Sequence, residues 1–188
     1  MECPLAISTK PKIGFFGAIA SWLDLKPLLV LMDKNYLVEM VGPVSHVEFP
    51  VLTQHKNFKY FGILPHKDLA IIASTWKCGM IPFVESPLTQ CVDPVKLYEY
   101  SILGLPIVAT DLKEIHYVAD TMPILAKPYL VPAKHPITFY HNVKQAIEED
   151  NDEKRKSRIA WAKTQTWKMR VDAVLSALDL EKWIPYDT

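Results

Sequence analysis

Lys96 and Glu99 stand three residues apart in the stretch DPVKLYEYSILGLPIVATD, from Asp93 to Asp111. An Asp followed by Pro predicts a helix with Asp93 as N-cap and Pro94 in the first helical position, ended by Gly104 and followed by a short buried strand, Pro106 to Thr110. Lys96 then falls in the first turn, where the positive end of the helix dipole disfavours a cation by about a few tenths of a kcal/mol. Helix stability does not select a lysine there. An anion such as a diphosphate at the helix start reverses the sign, because Lys96 and the unpaired N–H groups both face it. Glu99 projects from the same side and has two readings. It either forms a solvent-exposed pair with Lys96, worth roughly 0.2 to 0.5 kcal/mol in the less favourable order, or it accepts two hydrogen bonds from a ribose diol.

A second place for chemistry is the turn in GFFGAIASW, where Gly17 has no Cβ. It reads either as a tight turn or as a place where backbone N–H groups approach a phosphate. Other chemistries lack their residues. The six histidines show no HxH or HExxH spacing, so no metal site is expected. No GxSxG elbow, P-loop or full GxGxxG occurs, which argues against a hydrolase triad, an NTPase and an NAD site.

The elements that must position these residues alternate in type. Strands are predicted at Lys12 to Phe16, Tyr36 to Gly42, Phe58 to Leu64, Trp76 to Phe83, Pro106 to Thr110 and Pro123 to Ala126. Between them, Ser21 is predicted to cap a helix over Trp22 to Asn35, with Leu25, Leu28, Leu29 and Met32 inward, and Pro65 to Thr75 forms another, with Leu69, Ile72 and Ala73 inward. Val44 to Asn57 reads as a loop with at most a short helix, Val84 to Val92 as a polar loop, and Asp111 to Asp120 as a connection. Ile137 to Glu149 is amphipathic, the run EEDNDEKRKSR reads as a solvated helix face or turn, and Thr166 opens a last helix with the stripe Val171, Val174, Leu175 and Leu178. Trp76, Trp161 and Trp167 are expected in the core. The pattern predicts a doubly wound α/β fold: a mostly parallel, Rossmann-like sheet of about six strands with helices on both faces. In such sheets ligands bind beyond the carboxyl ends of the strands, the edge where Gly17 and the Asp93 helix fall.

Composition sets the frame. The 188 residues suit one domain, 49% are hydrophobic, and 21 basic side chains balance 21 acidic ones, so nucleic acid is not an expected partner. Cys3, Cys78 and Cys91 have no CxxC spacing, which fits a reducing cytoplasm. No apolar run approaches the roughly 20 residues of a membrane span, and the first eleven residues lack the order of a signal peptide. A cytoplasmic protein is expected, with contact at the inner membrane surface compatible with the sequence.

The combination VDPVKLYEYSILGLPIVATDLKEI resembles the NPLKLYEYLAAGKPVVATDLPEV stretch of bacterial glycosyltransferases of GT-B architecture, including those of teichuronic acid and other surface-polysaccharide pathways. IGFFGAI resembles the first strand and glycine loop of their C-terminal domain, FKYFGILPHKDL their Y-x-G-x-x-P-x-x-x-L segment, and TQTWKMRVDAVLSAL their closing W-x-x-R helix. The resemblance implies a lead-in at 1–11, a Rossmann-like nucleotide-sugar-binding domain at 12–165, and a closing helix and tail at 166–188. It also implies that Glu99 binds the ribose hydroxyls, that Gly17 sits by the diphosphate, and that Lys96 with Thr89 and Gln90 lines the phosphate and sugar end. The segment Gly62 to Pro65, Leu64 within it, holds the base against backbone groups. Metal is not expected, since helix dipole and basic side chains offset the leaving diphosphate's charge.

Three features depart from the family. Cys91 stands where many retaining members carry a second glutamate, Asp93 replaces the usual Asn, and the N-terminal acceptor domain that should precede Lys12 is missing. The expectation is therefore the donor-binding half of a hexosyltransferase-type enzyme, inactive alone, with catalytic residues unassigned and self-association through its last helix. The alternatives are a non-catalytic nucleotide-binding or scaffold domain of this fold, favoured by Cys91 and Asp93, or a sugar-nucleotide epimerase, which needs acid/base groups not identifiable here.

Overall fold

A computed structural model describes residues 10–178. Six parallel strands form a single sheet in the order β3-β2-β1-β4-β5-β6. These are β1 (Lys12–Phe16), β2 (Leu37–Val41), β3 (Phe58–Tyr60), β4 (Cys78–Ile81), β5 (Ile107–Thr110) and β6 (Tyr129–Val131). β4 and β5 are buried at every position, as strands covered on both faces must be. The helices are α1 (Lys26–Asp33), α2 (Phe49–Thr53), α3 (His66–Ala73), α4 (Val95–Ile102), α5 (Lys113–Thr121), α6 (Pro136–Glu148), α7 (Asp152–Lys163) and α8 (Trp167–Ala177). The crossovers β1→β2 and β4→β5 run in opposite directions along the sheet. Right-handed connections therefore put α1 and α4 on opposite faces. α1 packs with α6, and α4 with α7. No helix among the described residues is long and apolar enough to cross a membrane.

Two glycines let large side chains seat between the layers. A Cβ on Gly14 would lie 1.9 Å from the Trp76 ring, and one on Gly79 would lie 2.7 Å from the Tyr100 ring. Trp76, Tyr100 and Phe16 form one aromatic cluster across β1 and β4. Trp76 Nε1 donates to the buried carboxylate of Glu39 at 2.8 Å, and Lys12 Nζ lies 3.4 Å from its other oxygen, so this core charge is paired.

Several boundaries differ from those the sequence predicts. Ser21 caps nothing: α1 starts at Lys26, with Pro27 in its first turn, because Trp22 to Asp24 pair instead with the chain after β4. Asp111 to Asp120 is largely helix α5, and Pro123 to Ala126 is a 3₁₀ turn, with the sixth strand three residues later. Met122 N–H closes α5 on Ala119, and the two prolines flanking Ile124–Ala126 exclude that stretch from a ladder. β3 ends at Tyr60 and β4 at Ile81, each shorter than expected. Trp76 and Trp161 are buried, but Trp167 is 74% exposed, because α8 buries none of its residues. Thr166 does cap α8, accepting from Met169 N. Residues 1–9, including Cys3, and the tail 179–188 lie outside the described residues.

The charged run after α6 is more than a solvated face. Asn151 caps α7, and Arg158 within that helix is only 3% exposed. Its Nε and Nη2 donate to the carbonyl of Gly104 at 3.1 and 2.8 Å, and Nη2 also pairs with Asp150. Gly104 has φ +72° and sits just past the end of α4, so Arg158 satisfies a carbonyl that the helix leaves open. Arg158→Leu is expected to lose roughly 2–4 kcal/mol, leaving a buried carbonyl and a half-buried carboxylate without partners. Urea denaturation checks this, and a midpoint equal to that of the wild type would refute it.

Candidate functional site

The sheet order reverses between β1 and β4, and the crevice beyond their carboxyl ends is where an open α/β sheet receives a ligand. α4 is pinned over that crevice by one phenol. Tyr100, fully buried, accepts from Phe16 N at 3.3 Å and donates to the Met80 carbonyl at 3.4 Å, so it ties the ends of both strands to the helix. Burial raises its phenol well above the ordinary tyrosine range. Lys96 and Glu99, four and one residues before Tyr100 on the same short helix, are thereby held over the opening.

Gly17 follows β1 with φ +131°, and a Cβ there would lie 2.5 Å from Lys96 Cε and 2.9 Å from Lys96 Nζ. The ammonium of Lys96 thus rests in the space that a side chain at position 17 would fill. Gly42, at the end of β2 with φ +135°, is packed in turn on Gly17: a Cβ there would meet Gly17 O at 2.0 Å. Gly17 N donates to Val41 O at 2.9 Å and Gly42 N to Gly62 O at 2.8 Å, so the three loops step down from β1 to β3 as one bonded surface.

Gly17, Leu64, Lys96 and Glu99 line a single cavity of about 280 Å³, with Gly42 and His66. Glu99 Oε2 is buried and has no hydrogen-bond partner. Lys96 makes none of the ion pairs among the described residues, so the exposed Lys96–Glu99 pair that the spacing allowed does not form. A cavity thus holds an uncommitted ammonium and a carboxylate oxygen in want of a donor, a combination that suits a ligand carrying both an anion and a hydroxyl. On its other side Lys96 borders a second cavity of about 200 Å³ with Phe15, Trp22, Phe83, Asp93 and Val95. A larger cavity, about 660 Å³, opens around Asp24, His46, Glu48, Glu85 and Lys134. It contains neither Lys96 nor Glu99 and no orphaned buried atom, so size alone does not mark the site.

Thr89 and Gln90 fall elsewhere in their loop. Thr89 is buried, its hydroxyl donating to Val84 O at 2.6 Å and contacting Ser86, which makes it a brace for the loop before α4. Gln90 donates to Glu85 and accepts from Lys113 N at 2.9 Å, joining that loop to α5. The structure brings neither into the cavity with the other four. Asp93 is not the N-cap either; Pro94 holds that position without a side-chain bond. Asp93 Oδ2 instead accepts from Tyr98 at 3.1 Å and pairs with Arg170 of α8 at 3.0 Å. Burial and this hydrogen bond push the Tyr98 phenol up to about 12. Sequence reasoning missed Gly42 and His66 as lining residues, and the glycine directly after the second strand was the available signal. Among the described residues no group of three or more His, Cys, Asp or Glu is placed to hold a metal ion.

Solved structures share this fold over most of the chain. Sucrose-phosphate synthase from Thermosynechococcus elongatus superposes with a TM-score of 0.70 at 13% identity, covering 92% of this chain and 46% of that one. Anabaena HepE, solved in complex with UDP-glucose, gives 0.66 at 12% identity over 91% of this chain and 49% of its own. WaaG, a glycosyltransferase involved in lipopolysaccharide biosynthesis, gives 0.64 at 14% identity over 90% and 47%. The chain has the Rossmann-like fold of one half of a GT-B glycosyltransferase. In sequence it is 27% identical over 179 residues to TuaH of Bacillus subtilis (strain 168), named as a glycosyltransferase of teichuronic acid biosynthesis. The aligned part is 90% of this chain but only 43% of TuaH, so the chain spans less than half the length of that relative. No family model matches the chain. The likeness in fold covers 90% or more of this chain in each of these structures.

Proposed function

We propose that this chain is the donor-binding half of a glycosyltransferase that moves a sugar, of hexose type, from a nucleoside diphosphate to an acceptor in polysaccharide or glycoconjugate synthesis. One observation carries the reading: the Lys96 ammonium is seated against Gly17 in the same cavity as the unpartnered Glu99 carboxylate. Lys96 and the N-terminus of α4 meet the diphosphate, Glu99 accepts the ribose hydroxyls, and the backbone around Leu64 faces the base. The complex of HepE with UDP-glucose and the name of TuaH support this assignment of substrate class. Charge on the leaving diphosphate is offset by Lys96 and the helix dipole, without a metal.

Transfer requires an acceptor held against the donor in a dry cleft, and these 188 residues, which match 43% of TuaH, are assigned donor binding and not acceptor binding. Alone, the chain binds donor and turns over little. The exposed apolar residues of α8, among them Trp167, Met169, Val171 and Val174, favour self-association of the isolated chain. We place the protein in the cytoplasm, with no nucleic-acid partner. A second reading, a binding domain without transferase chemistry, is favoured by Cys91, which is exposed where many retaining enzymes carry a glutamate.

Calorimetric titration of the wild-type chain with uridine, guanosine and adenosine diphosphates tests the leading reading. At least one should bind, and Lys96→Met should weaken it about tenfold or more while barely affecting the matching nucleoside. Failure of all three diphosphates to bind sinks the proposal. Turnover of a nucleotide sugar onto an acceptor by the purified chain alone would refute the division of labour.

A further inference from the structure

α8 buries no residue of its own, yet one of its side chains reaches the start of α4. Arg170 Nη1 pairs with Asp93 Oδ2 at 3.0 Å, and its guanidinium lies over the Tyr98 ring at 4.6 Å and the Trp167 ring at 5.8 Å. Tyr98 stacks on the buried Trp161 of α7, 5.4 Å between centroids and 16° between planes, and its hydroxyl donates to the same Asp93 oxygen. The guanidinium is therefore held by two rings and by a carboxylate, and its own pKa is raised by that carboxylate. Asp93 lines the cavity that has Lys96 in its wall, and it stands two residues before α4 begins. A carboxylate at that place, unpaired, opposes the binding of a diphosphate to Lys96 and the helix N-terminus.

We infer that Arg170 is the counter-charge of Asp93, a positioning residue through which the last helix sets the affinity of the donor site for diphosphate. The inference rests on the proposed donor site. With α8 docked, Arg170 and Tyr98 both engage Asp93 Oδ2 and offset its charge, while Oδ1 is buried without a partner. With α8 displaced, the same carboxylate repels the ligand. By linkage, a bound nucleoside diphosphate favours the docked helix to the same degree.

A four-protein cycle tests it: wild type, Arg170→Met, Asp93→Asn and the double variant, each titrated with whichever of uridine, guanosine or adenosine diphosphate the wild type binds best, and with its nucleoside. Arg170→Met is expected to weaken the diphosphate about five- to twentyfold at low salt and the nucleoside less than about twofold, with the difference shrinking near 0.5 M salt. Asp93→Asn should bind the diphosphate at least as tightly as wild type, and the double variant should return to within about twofold of it. A purely structural role predicts equal losses for diphosphate and nucleoside and no rescue by Asp93→Asn; either result overturns the inference. Should Arg170→Met fail to fold, weaker diphosphate binding by Asp93→Asn alone overturns it. Absence of binding by the wild type removes the donor-site reading and this one together, whereas normal wild-type binding with a flat cycle removes only this one. Amide exchange over Trp167–Ala177 should also slow on adding the diphosphate, and unchanged exchange would refute the coupling.

Discussion

Glu99→Ala should weaken nucleoside diphosphate binding by about tenfold to a hundredfold and leave the melting temperature equal to that of the wild type or higher. The two halves of this result come from one atom. Glu99 Oε2 is buried without a partner, and such an atom costs the folded state about 1–3 kcal/mol. Removing the carboxylate removes that cost. The same oxygen in the complex would accept a hydroxyl, and a charge-assisted hydrogen bond of about 1.5–3 kcal/mol converts to the loss stated. Most truncations of partly buried side chains lower both stability and function, so a fall in binding with no fall in stability is a specific signature. Differential scanning fluorimetry with and without the diphosphate reads both. An alanine variant that melts several degrees lower with unaltered affinity would mean that Glu99 serves the fold.

Gly42→Ala should do the reverse, damaging fold and site together. Residue 42 has φ +135°, where an L side chain is strained, and its Cβ would lie 2.0 Å from Gly17 O and 2.7 Å from Gly17 C. Those are backbone atoms, which cannot rotate away as the end of Lys96 can from Gly17. Strain of about 1–3 kcal/mol and overpacking of a similar size add to roughly 2–6 kcal/mol, a fall in melting temperature of roughly 5–20 °C for a domain of this size. Relief comes only by parting the ends of β1 and β2, which takes Gly17 away from Lys96. Diphosphate binding should therefore be lost in whatever fraction remains folded. A variant that melts within about 2 °C of wild type and binds normally would show that the loop contact is loose.

How far the sequence could be read depended on whether a signal was local. Lys96 stands out because it sits badly in its own helix, and Gly17 and Gly104 because turns need them, so two of the residues that meet at one cavity, Lys96 and Gly17, were legible from a few neighbouring residues. The parallel sheet followed from alternation alone. Long-range pairing was not legible. Ser21 looks like a cap, but Asp24 N donates to Pro82 O and the helix does not begin until Lys26. Asp93 likewise has the type and place of an N-cap, and it is drawn off by Arg170, distant in sequence. Arg158 lies in a run that reads as solvated because nothing nearby indicates the Gly104 carbonyl it serves. Trp167 was expected in the core on its size, and α8 offers it no core to enter. Thr89 and Gln90 have the hydrogen-bonding groups that a sugar would use, and those groups are consumed by their own loop and by the start of α5.

The stepped bonding of Gly17 to Val41, Gly42 to Gly62 and Ile19 to Pro43 extends the sheet's hydrogen bonding past the ends of the strands, and Tyr60 Oη adds a bond to Gly42 O at 2.7 Å. Its consequence is entropic. Loops at a binding edge are commonly ordered only when the ligand arrives, which subtracts from affinity. Here the edge under β1, β2 and β3 is tied by backbone hydrogen bonds of its own, so its ordering belongs to folding and not to binding. Adaptation to different ligands then falls on the opposite wall, the side chains of α4 and whatever rests on them. On the proposed donor-binding reading, a nucleotide sugar with another base or sugar is met by moving one wall against a floor that stays still.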